Sequence, residues 1–237
     1  MIEKNIKLSV VIPTLNGSDY VNKLYEKLTV ELAKLGYFYE IIFVDDGSTD
    51  GTIDILKRIT HDGNLIKIIK FDKNYGQHSA IYAGIKKSCG DILILIHDDM
   101  ENNVGDIGNF INKINSGIDV VCGRRFLKRN VLTLRRVISY FLNLYTSIAI
   151  GVRVHDLGCG LQAFRKEILN NASHLDVIKY LKQYKFCEIK IETYENIKKG
   201  RYNLLKLFKL LVTIFCFGKE CFYAKSLRFY ISESYNI

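Results

Sequence analysis

Residues 8–46 read LSVVIPTLNGSDYVNKLYEKLTVELAKLGYFYEIIFVDD. Leu8–Ile12 is a short apolar run rich in β-branched residues and stopped by Pro13, and Glu40–Val44 is a second, stopped by Asp45 and Asp46. Both spell buried strands. Between them Val21, Leu24, Leu28, Leu32 and Leu35 recur at helical spacing, and Gly36 follows as a stop signal. Strand, helix and strand in this order make a βαβ unit, which can close only as a parallel pair with a crossover.

Outward from that unit the same grammar repeats. Thr52–Ile59 and Ser79–Ser88 read as helices, Leu65–Phe71 and Asp91–Ile96 as strands, and Asp119–Cys122 as a further strand. After Gly151 the pattern weakens, with strands expected at Val152–Val154 and Glu188–Thr193. The class is α/β: a mainly parallel, doubly wound, Rossmann-like sheet with helices on both faces and a basic, helical C-terminal third. No Gly/Ser linker, low-complexity tract or repeat divides the chain, so 1–237 reads as one domain. Its parts are a half at 1–105, a half at 106–203 and an amphipathic tail at 204–237.

In such sheets ligands bind at the carboxyl ends of the strands. Those ends carry Pro13-Thr14-Leu15-Asn16-Gly17, Asp45-Asp46-Gly47-Ser48, Asp72-Lys73-Asn74-Tyr75-Gly76 and His97-Asp98-Asp99-Met100-Glu101. The first acidic pair can cap a turn or can accept from a base N–H or a ribose hydroxyl. Adjacent acids after a buried strand repel one another unless a cation compensates. Mg²⁺ or Mn²⁺, which take oxygen ligands and keep positions open for phosphates, suit that place, with His97, Asp99 and Glu101 on alternating positions. Neither Gly-x-Gly-x-x-Gly nor Gly-x-x-x-x-Gly-Lys follows the first strand, which disfavours a dehydrogenase or a nucleoside triphosphatase.

The 237 residues carry a net charge of +9, implying an anionic partner. The charge is clustered: six basic residues and no acid from Arg124 to Arg136, and eight against the lone Glu220 from Lys198 to Arg228. No helix-turn-helix, zinc-finger spacing or RNP-like motif accompanies it, so no nucleic acid is expected. Six scattered cysteines without a CxxC pair, and no signal peptide, read as reduced buried thiols in a cytoplasmic protein. His78, His155 and His174 read as ordinary core or surface residues.

The segments VVIPTLN, EIIFVDDGSTDGT, NYGQHSAIYAG and GDILILIHDDMEN, in this order, resemble the inverting GT-A glycosyltransferases. Gly123-Arg124-Arg125, the run GVRVHDLGCGLQAFR at 151–165 and KGRYN at 199–203 narrow the resemblance to the polyprenyl-phosphate (dolichyl- and undecaprenyl-phosphate) sugar synthases. The resemblance implies that Pro13, Thr14, Asn16, Asp45, Asp46, Gly76, Gln77 and Asp98 line a nucleotide-sugar site. It places the metal on His97, Asp99 and Glu101, makes Asp99, Asp156 and Arg125 catalytic, and gives Arg125, Gln162 and Arg201 to acceptor or donor phosphates. Three positions depart from the pattern: His97 for the first Asp of D-x-D, Gly17 where a Glu often follows the Asn, and Gly200 for the usual Ser.

The reaction so implied moves a sugar from a UDP- or GDP-sugar to a polyprenyl phosphate, peripherally on the cytoplasmic face of a membrane. A phosphate acceptor is already ionised, so positioning and charge neutralisation suffice. The alternative is a hydroxyl acceptor on a polysaccharide or glycoprotein glycan, which needs a base, and Asp156 is the candidate. The apolar run Leu210–Gly218 is too short to cross a bilayer, which takes about 20 apolar residues. The stripe from Leu134 to Ala149 and the segment Leu204–Phe217 are instead candidates for lying on the membrane surface. A separate membrane partner or a homo-oligomer would serve the same end.

Overall fold

A computed structural model describes residues 7–60, 65–125, 134–156, 158–170, 173–192 and 234–235. The strands are β1 (Leu8–Thr14), β2 (Tyr39–Asp45), β3 (Ile66–Lys70), β4 (Ile92–Leu95), β5 (Val120–Arg125), β6 (Gln162–Arg165), β7 (Phe186–Ile191) and β8 (Ser234–Tyr235). The helices are α1 (Val21–Leu35), α2 (Thr52–Ile59), α3 (Gln77–Lys87), α4 (Ile107–Asn115), α5 (Leu134–Ile150) and α6 (His174–Lys179). All eight strands join one sheet in the order β7-β5-β6-β4-β1-β2-β3-β8.

Alternation along the strands divides the core in two. Val10 and Ile12, Ile41 and Phe43, and Ile92 and Ile94 face a cluster shared with α1, α2 and α4. Their neighbours Val11, Ile42, Val44, Leu93 and Leu95 face a second cluster with α3, Ile150 of α5 and Val177 of α6. A sheet covered on both faces has no need of polar strand positions, which is why these runs are continuously apolar. One exception is Glu40, fully buried beside β1. Its carboxylate accepts from Ser9 Oγ and Cys89 N at 2.5 Å and faces Lys67 Nζ at 2.8 Å. Burial alone would lower the Lys67 pKa, but the Glu40 contact outweighs it and the net shift is upward.

Several expectations are corrected. β1 runs on through Pro13 and Thr14, whose partners are Val44 and Asp45. Val152–Val154 is not a strand: Val154 exchanges its backbone bonds with the Ser147 hydroxyl, both at 3.0 Å. The late strand begins earlier, at Phe186, and pairs parallel with β5. The short β6 enters antiparallel between β4 and β5, so that Gln162 lies in register with both Leu95 and Cys122. Cys122 and Cys159 are buried free thiols, while Cys89 is an exposed one. Among the described residues no helix is long and apolar enough to cross a membrane. Arg201, Cys216, Cys221 and the segment Leu204–Phe217 lie outside the described residues.

Candidate active site

The carboxyl ends of β1, β2 and β4 and the start of α3 are laced together by side chains. After β1, Asn16 takes a left-handed backbone (φ 50°), which asparagine tolerates better than most residues. Its Oδ1 accepts from Thr49 N at 2.9 Å and its own N donates to Ser48 Oγ at 2.9 Å, joining the loops after β1 and β2. Thr14 Oγ1 donates to Asp98 Oδ2 at 2.6 Å, joining β1 to the loop after β4. Asp46 accepts from Tyr75 N at 2.7 Å and Gly76 N at 2.9 Å, fixing the turn that starts α3. Gln77 Nε2 meets His97 Nε2 at 2.5 Å. Asp50 gathers Ser18 N and Thr52 N; burial pushes its carboxyl up, but the bonds from Thr52 and Ser18 outweigh this and hold it at about 2.

Two acids keep unusual electrostatics. Asp45 is fully buried; its Oδ1 accepts from the Ser48 backbone and hydroxyl, whereas Oδ2 has no hydrogen-bond partner. Burial raises its pKa, and that of Asp46, above the ordinary carboxylate value. A buried acceptor without a donor is costly in isolation, and a ligand N–H or O–H would relieve it.

Gly17 leaves room for this lacing. A Cβ there would sit 2.5 Å from Asp98 Oδ2 and 2.6 Å from Thr14 Oγ1, so the Asp98 carboxylate occupies the space and a side chain at 17 would have to displace it. Gly160 does the same on the other side, where a Cβ would lie 2.5 Å from His97 Nδ1.

Beyond β4 the chain leaves the sheet at Leu95 and turns at Met100, a non-glycine residue at φ 58°. Strand alternation therefore does not carry through 97–101, and the expected grouping of His97, Asp99 and Glu101 on one side is not met. Among the described residues no three of His, Cys, Asp and Glu stand as a metal-ligand group. Glu101 turns to Arg125, whose Nη1 reaches both Glu101 oxygens at 3.2 Å. Asp99 Oδ1 accepts from Glu101 N at 3.0 Å. His97 is held neutral: burial lowers its pKa, opposed by Asp99 and Asp98.

Arg125 also grips Asp156, Nε to Oδ2 at 2.7 Å and Nη2 to Oδ1 at 2.8 Å. The guanidinium thus arrives already balanced by two carboxylates. Burial works against its charge, but the Asp156 bond and then Glu101 raise its pKa further. Glu188 of β7, which the sequence reading passed over, sets this turn: it accepts from His155 N at 2.8 Å and Asp156 N at 3.3 Å and meets His155 Nδ1 at 2.5 Å. Gln162 donates to Cys159 O at 3.3 Å, bracing the same loop.

Known proteins share both the sequence and the architecture. Residues 9–172 match the family described as Glycosyl transferase family 2. Undecaprenyl-phosphate 4-deoxy-4-formamido-L-arabinose transferase of Proteus mirabilis strain HI4320 is 36% identical over 170 residues, which is 71% of this chain and 52% of that protein. The enzyme of the same name from Pseudomonas aeruginosa strain LESB58 is 30% identical over 213 residues, 86% of this chain and 62% of its own length. Dodecaprenyl-phosphate galacturonate synthase of Rhizobium johnstonii is 30% identical over 168 residues, 70% and 50% of the two chains. The chain therefore spans half to two thirds of these curated relatives. Among solved structures, glucosyl-3-phosphoglycerate synthase from Mycobacterium tuberculosis with Mn²⁺ and UDP-glucose superposes with a TM-score of 0.67 at 14% identity, covering 91% of this chain and 79% of that one. Mannosyl-3-phosphoglycerate synthase from Rubrobacter xylanophilus gives 0.67 at 14% identity, covering 89% and 73%. These likenesses establish the GT-A fold. With the family match over most of its length, the strand-end acids laced across β1, β2 and β4 belong to a member of glycosyl transferase family 2.

Proposed function

We propose that the chain transfers a glycosyl group from a nucleoside diphosphate sugar to a polyprenyl phosphate. The observation that carries the choice of acceptor is the state of Asp156. Both its oxygens are bound by Arg125, so the carboxylate best placed to act as a base for a hydroxyl is already committed. An acceptor that is ionised at neutral pH needs no such base. The names of the relatives from Proteus mirabilis and Rhizobium johnstonii support the same class of acceptor.

In this reading Asp45 Oδ2, buried and without a donor, receives a hydrogen bond from the base or ribose of the donor. Pro13, Thr14, Asn16 and Gly76 shape the wall around it. An acceptor phosphate oxygen attacks the anomeric carbon from the face opposite the nucleotide. As the new C–O bond forms, the bond to the diphosphate breaks and the nucleoside diphosphate leaves with the electron pair, inverting the centre. Arg125 keeps Glu101 and Asp156 at fixed distance from that path and offers its remaining N–H edge to a phosphate. The donor set suits a divalent ion: Asp99 has a carboxylate oxygen outside the hydrogen bonds, and His97 adds a neutral imidazole. Mg²⁺ or Mn²⁺ held there would take its other ligands from the diphosphate and neutralise the leaving group's charge.

Radiolabelled UDP- and GDP-sugars incubated with the protein and polyprenyl phosphate, followed by organic extraction, test the proposal. Label is expected in the organic phase. Label incorporated only into an added glycan would reject the lipid acceptor.

A further inference from the structure

His97 stands where the D-x-D pattern has its first acid, and the ring is held from two sides. A Cβ on Gly160 would lie 2.5 Å from its Nδ1 and 2.6 Å from its Cγ, so that edge of the imidazole fills the space a side chain at 160 would take. The far tip, Nε2, meets Gln77 Nε2 at 2.5 Å. An amide N–H donates only to a ring nitrogen that carries a lone pair, which makes Nε2 the unprotonated nitrogen of the neutral ring. Gln77 is exposed at the start of α3, so its amide can swing aside and leave that lone pair to a ligand.

The charge around the ring is mostly committed inside the protein. Asp98 Oδ2 accepts from Thr14 Oγ1 at 2.6 Å, and both Glu101 oxygens face Arg125 Nη1 at 3.2 Å. Asp99 accepts from Glu101 N through Oδ1 and keeps its second oxygen outside the hydrogen bonds. An ion held at His97 and Asp99 therefore meets one carboxylate and one neutral nitrogen, where a D-x-D pair would supply two carboxylates. Mg²⁺ draws its binding from oxygen ligands and gives up water reluctantly, whereas affinity for imidazole rises along the first-row divalent series from Mn²⁺ onward.

We propose that His97 Nε2 ligates the ion and makes the site select Mn²⁺ and the later first-row ions against Mg²⁺. This selectivity rests on the reading above that a divalent ion sits at His97 and Asp99. It belongs to the substituted residue and not to the fold: an acid at 97 would bring Mg²⁺ back.

Paramagnetic resonance of Mn²⁺ added to the full chain, with UDP or GDP present, reads both points. The bound ion should show nitrogen hyperfine coupling, and Mg²⁺ should displace it only at about a hundredfold molar excess or more. His97→Asp should remove the coupling and bring Mg²⁺ to within about tenfold of Mn²⁺. His97→Gln should remove the coupling and weaken Mn²⁺ by about tenfold or more, while His78→Gln should leave the coupling in place. The wild-type spectrum and its Mg²⁺ competition decide the matter even where a variant fails to fold. Coupling that survives both His97 variants, or Mg²⁺ that competes equally in wild type and His97→Asp, overturns the proposal. Mn²⁺ uptake with no nitrogen coupling overturns it as well and leaves the ion on Asp99. Absence of Mn²⁺ uptake with either nucleotide instead removes the ion from the proposed function, and the selectivity falls with it.

Discussion

Arg125 and Asp156 meet at two points, Nε to Oδ2 at 2.7 Å and Nη2 to Oδ1 at 2.8 Å, and the pair bridges β5 to the loop before β6. The fork geometry matters because the same guanidinium also holds Glu101. A lysine at 125 keeps the charge but cannot span both carboxylates, so Arg125→Lys leaves one partly buried acid uncompensated. The expected cost is about 3 kcal/mol in chemical denaturation, with glycosyl transfer down about 100-fold from misplacement of the loop. Wild-type transfer by Arg125→Lys would show that the fork has no part in the reaction.

The proposed function gives the ion to Asp99 and the nucleotide to Asp45, and substitutions at the two positions test these roles separately. In a thermal-shift panel of UDP- and GDP-sugars with and without Mn²⁺, one donor should raise the melting temperature by mass action. Asp99→Asn should remove the part of that rise that depends on Mn²⁺. Asp45→Asn should weaken the nucleotide with or without the ion. The assignment of the ion to Asp99 fails if chelation and Asp99→Asn have independent effects.

Gly17→Ala puts a methyl group onto the Thr14–Asp98 hydrogen bond. The neighbours are side chains and can yield, so the chain should fold with a loss of about 1–3 kcal/mol, while donor affinity falls more than stability does. Titration calorimetry reads the affinity. Adding Asp98→Ala to Gly17→Ala should recover stability by relieving the clash, and a purely additive double variant would contradict that coupling.

Lys67→Met strands Glu40, which is fully buried and already bonded to Ser9 and Cys89. Removing one partner of a buried pair costs about 3–5 kcal/mol. Urea unfolding near neutral pH should show it; a cost under about 1 kcal/mol would mean that the remaining hydrogen bonds suffice.

His174 gives the fold an acid-sensitive element. It is buried against His78, the rings 5.4 Å apart and 28° from parallel, with Nδ1 lacking a partner. Burial, reinforced by His78, holds its pKa at about 3 against an ordinary 6.5, with Asp176 opposing and His97 adding slightly. The folded state therefore resists a proton that the unfolded chain accepts. Stability owed to neutral His174 is full above pH 6.5 and declines as pH falls toward 3. Its contribution to the slope is at most about 1.4 kcal/mol per pH unit. His174→Gln should lose less stability than wild type as pH falls through that window, and parallel stability curves would exclude the effect.

The sequence was most legible where burial on both sheet faces left a continuous apolar signature. The span of α2, Thr52–Ile59, agrees to the residue, and β1, α1, β2 and β4 agree within a few residues at each end. The four residues of β6 bury only Ala163 and Phe164, too little to stand out from a loop. Helix α4 was readable and passed over: Ile107, Phe110, Ile111 and Ile114 keep an unbroken helical spacing. The strand ends were legible as a site because acids and turn residues crowd there. Their pairing was not: Arg125 finds Glu101 and Asp156 at separations of 24 and 31 residues, and Glu188 finds His155 at 33. Only the sheet order brings those positions together.

The antiparallel β6 has a consequence for the order of assembly. Strands β1 to β4 can zip up from residues 8–95, but β5 borders only β6 and β7, both later in the chain. During synthesis the front of the sheet can therefore close while the arm that carries Arg125 waits for four residues at 162–165 to emerge and stitch it on. A ribosome-bound chain released only to residue 155 should show hydrogen-exchange protection in β1 and β2 and none in β5; protection of β5 at that length would reverse the order.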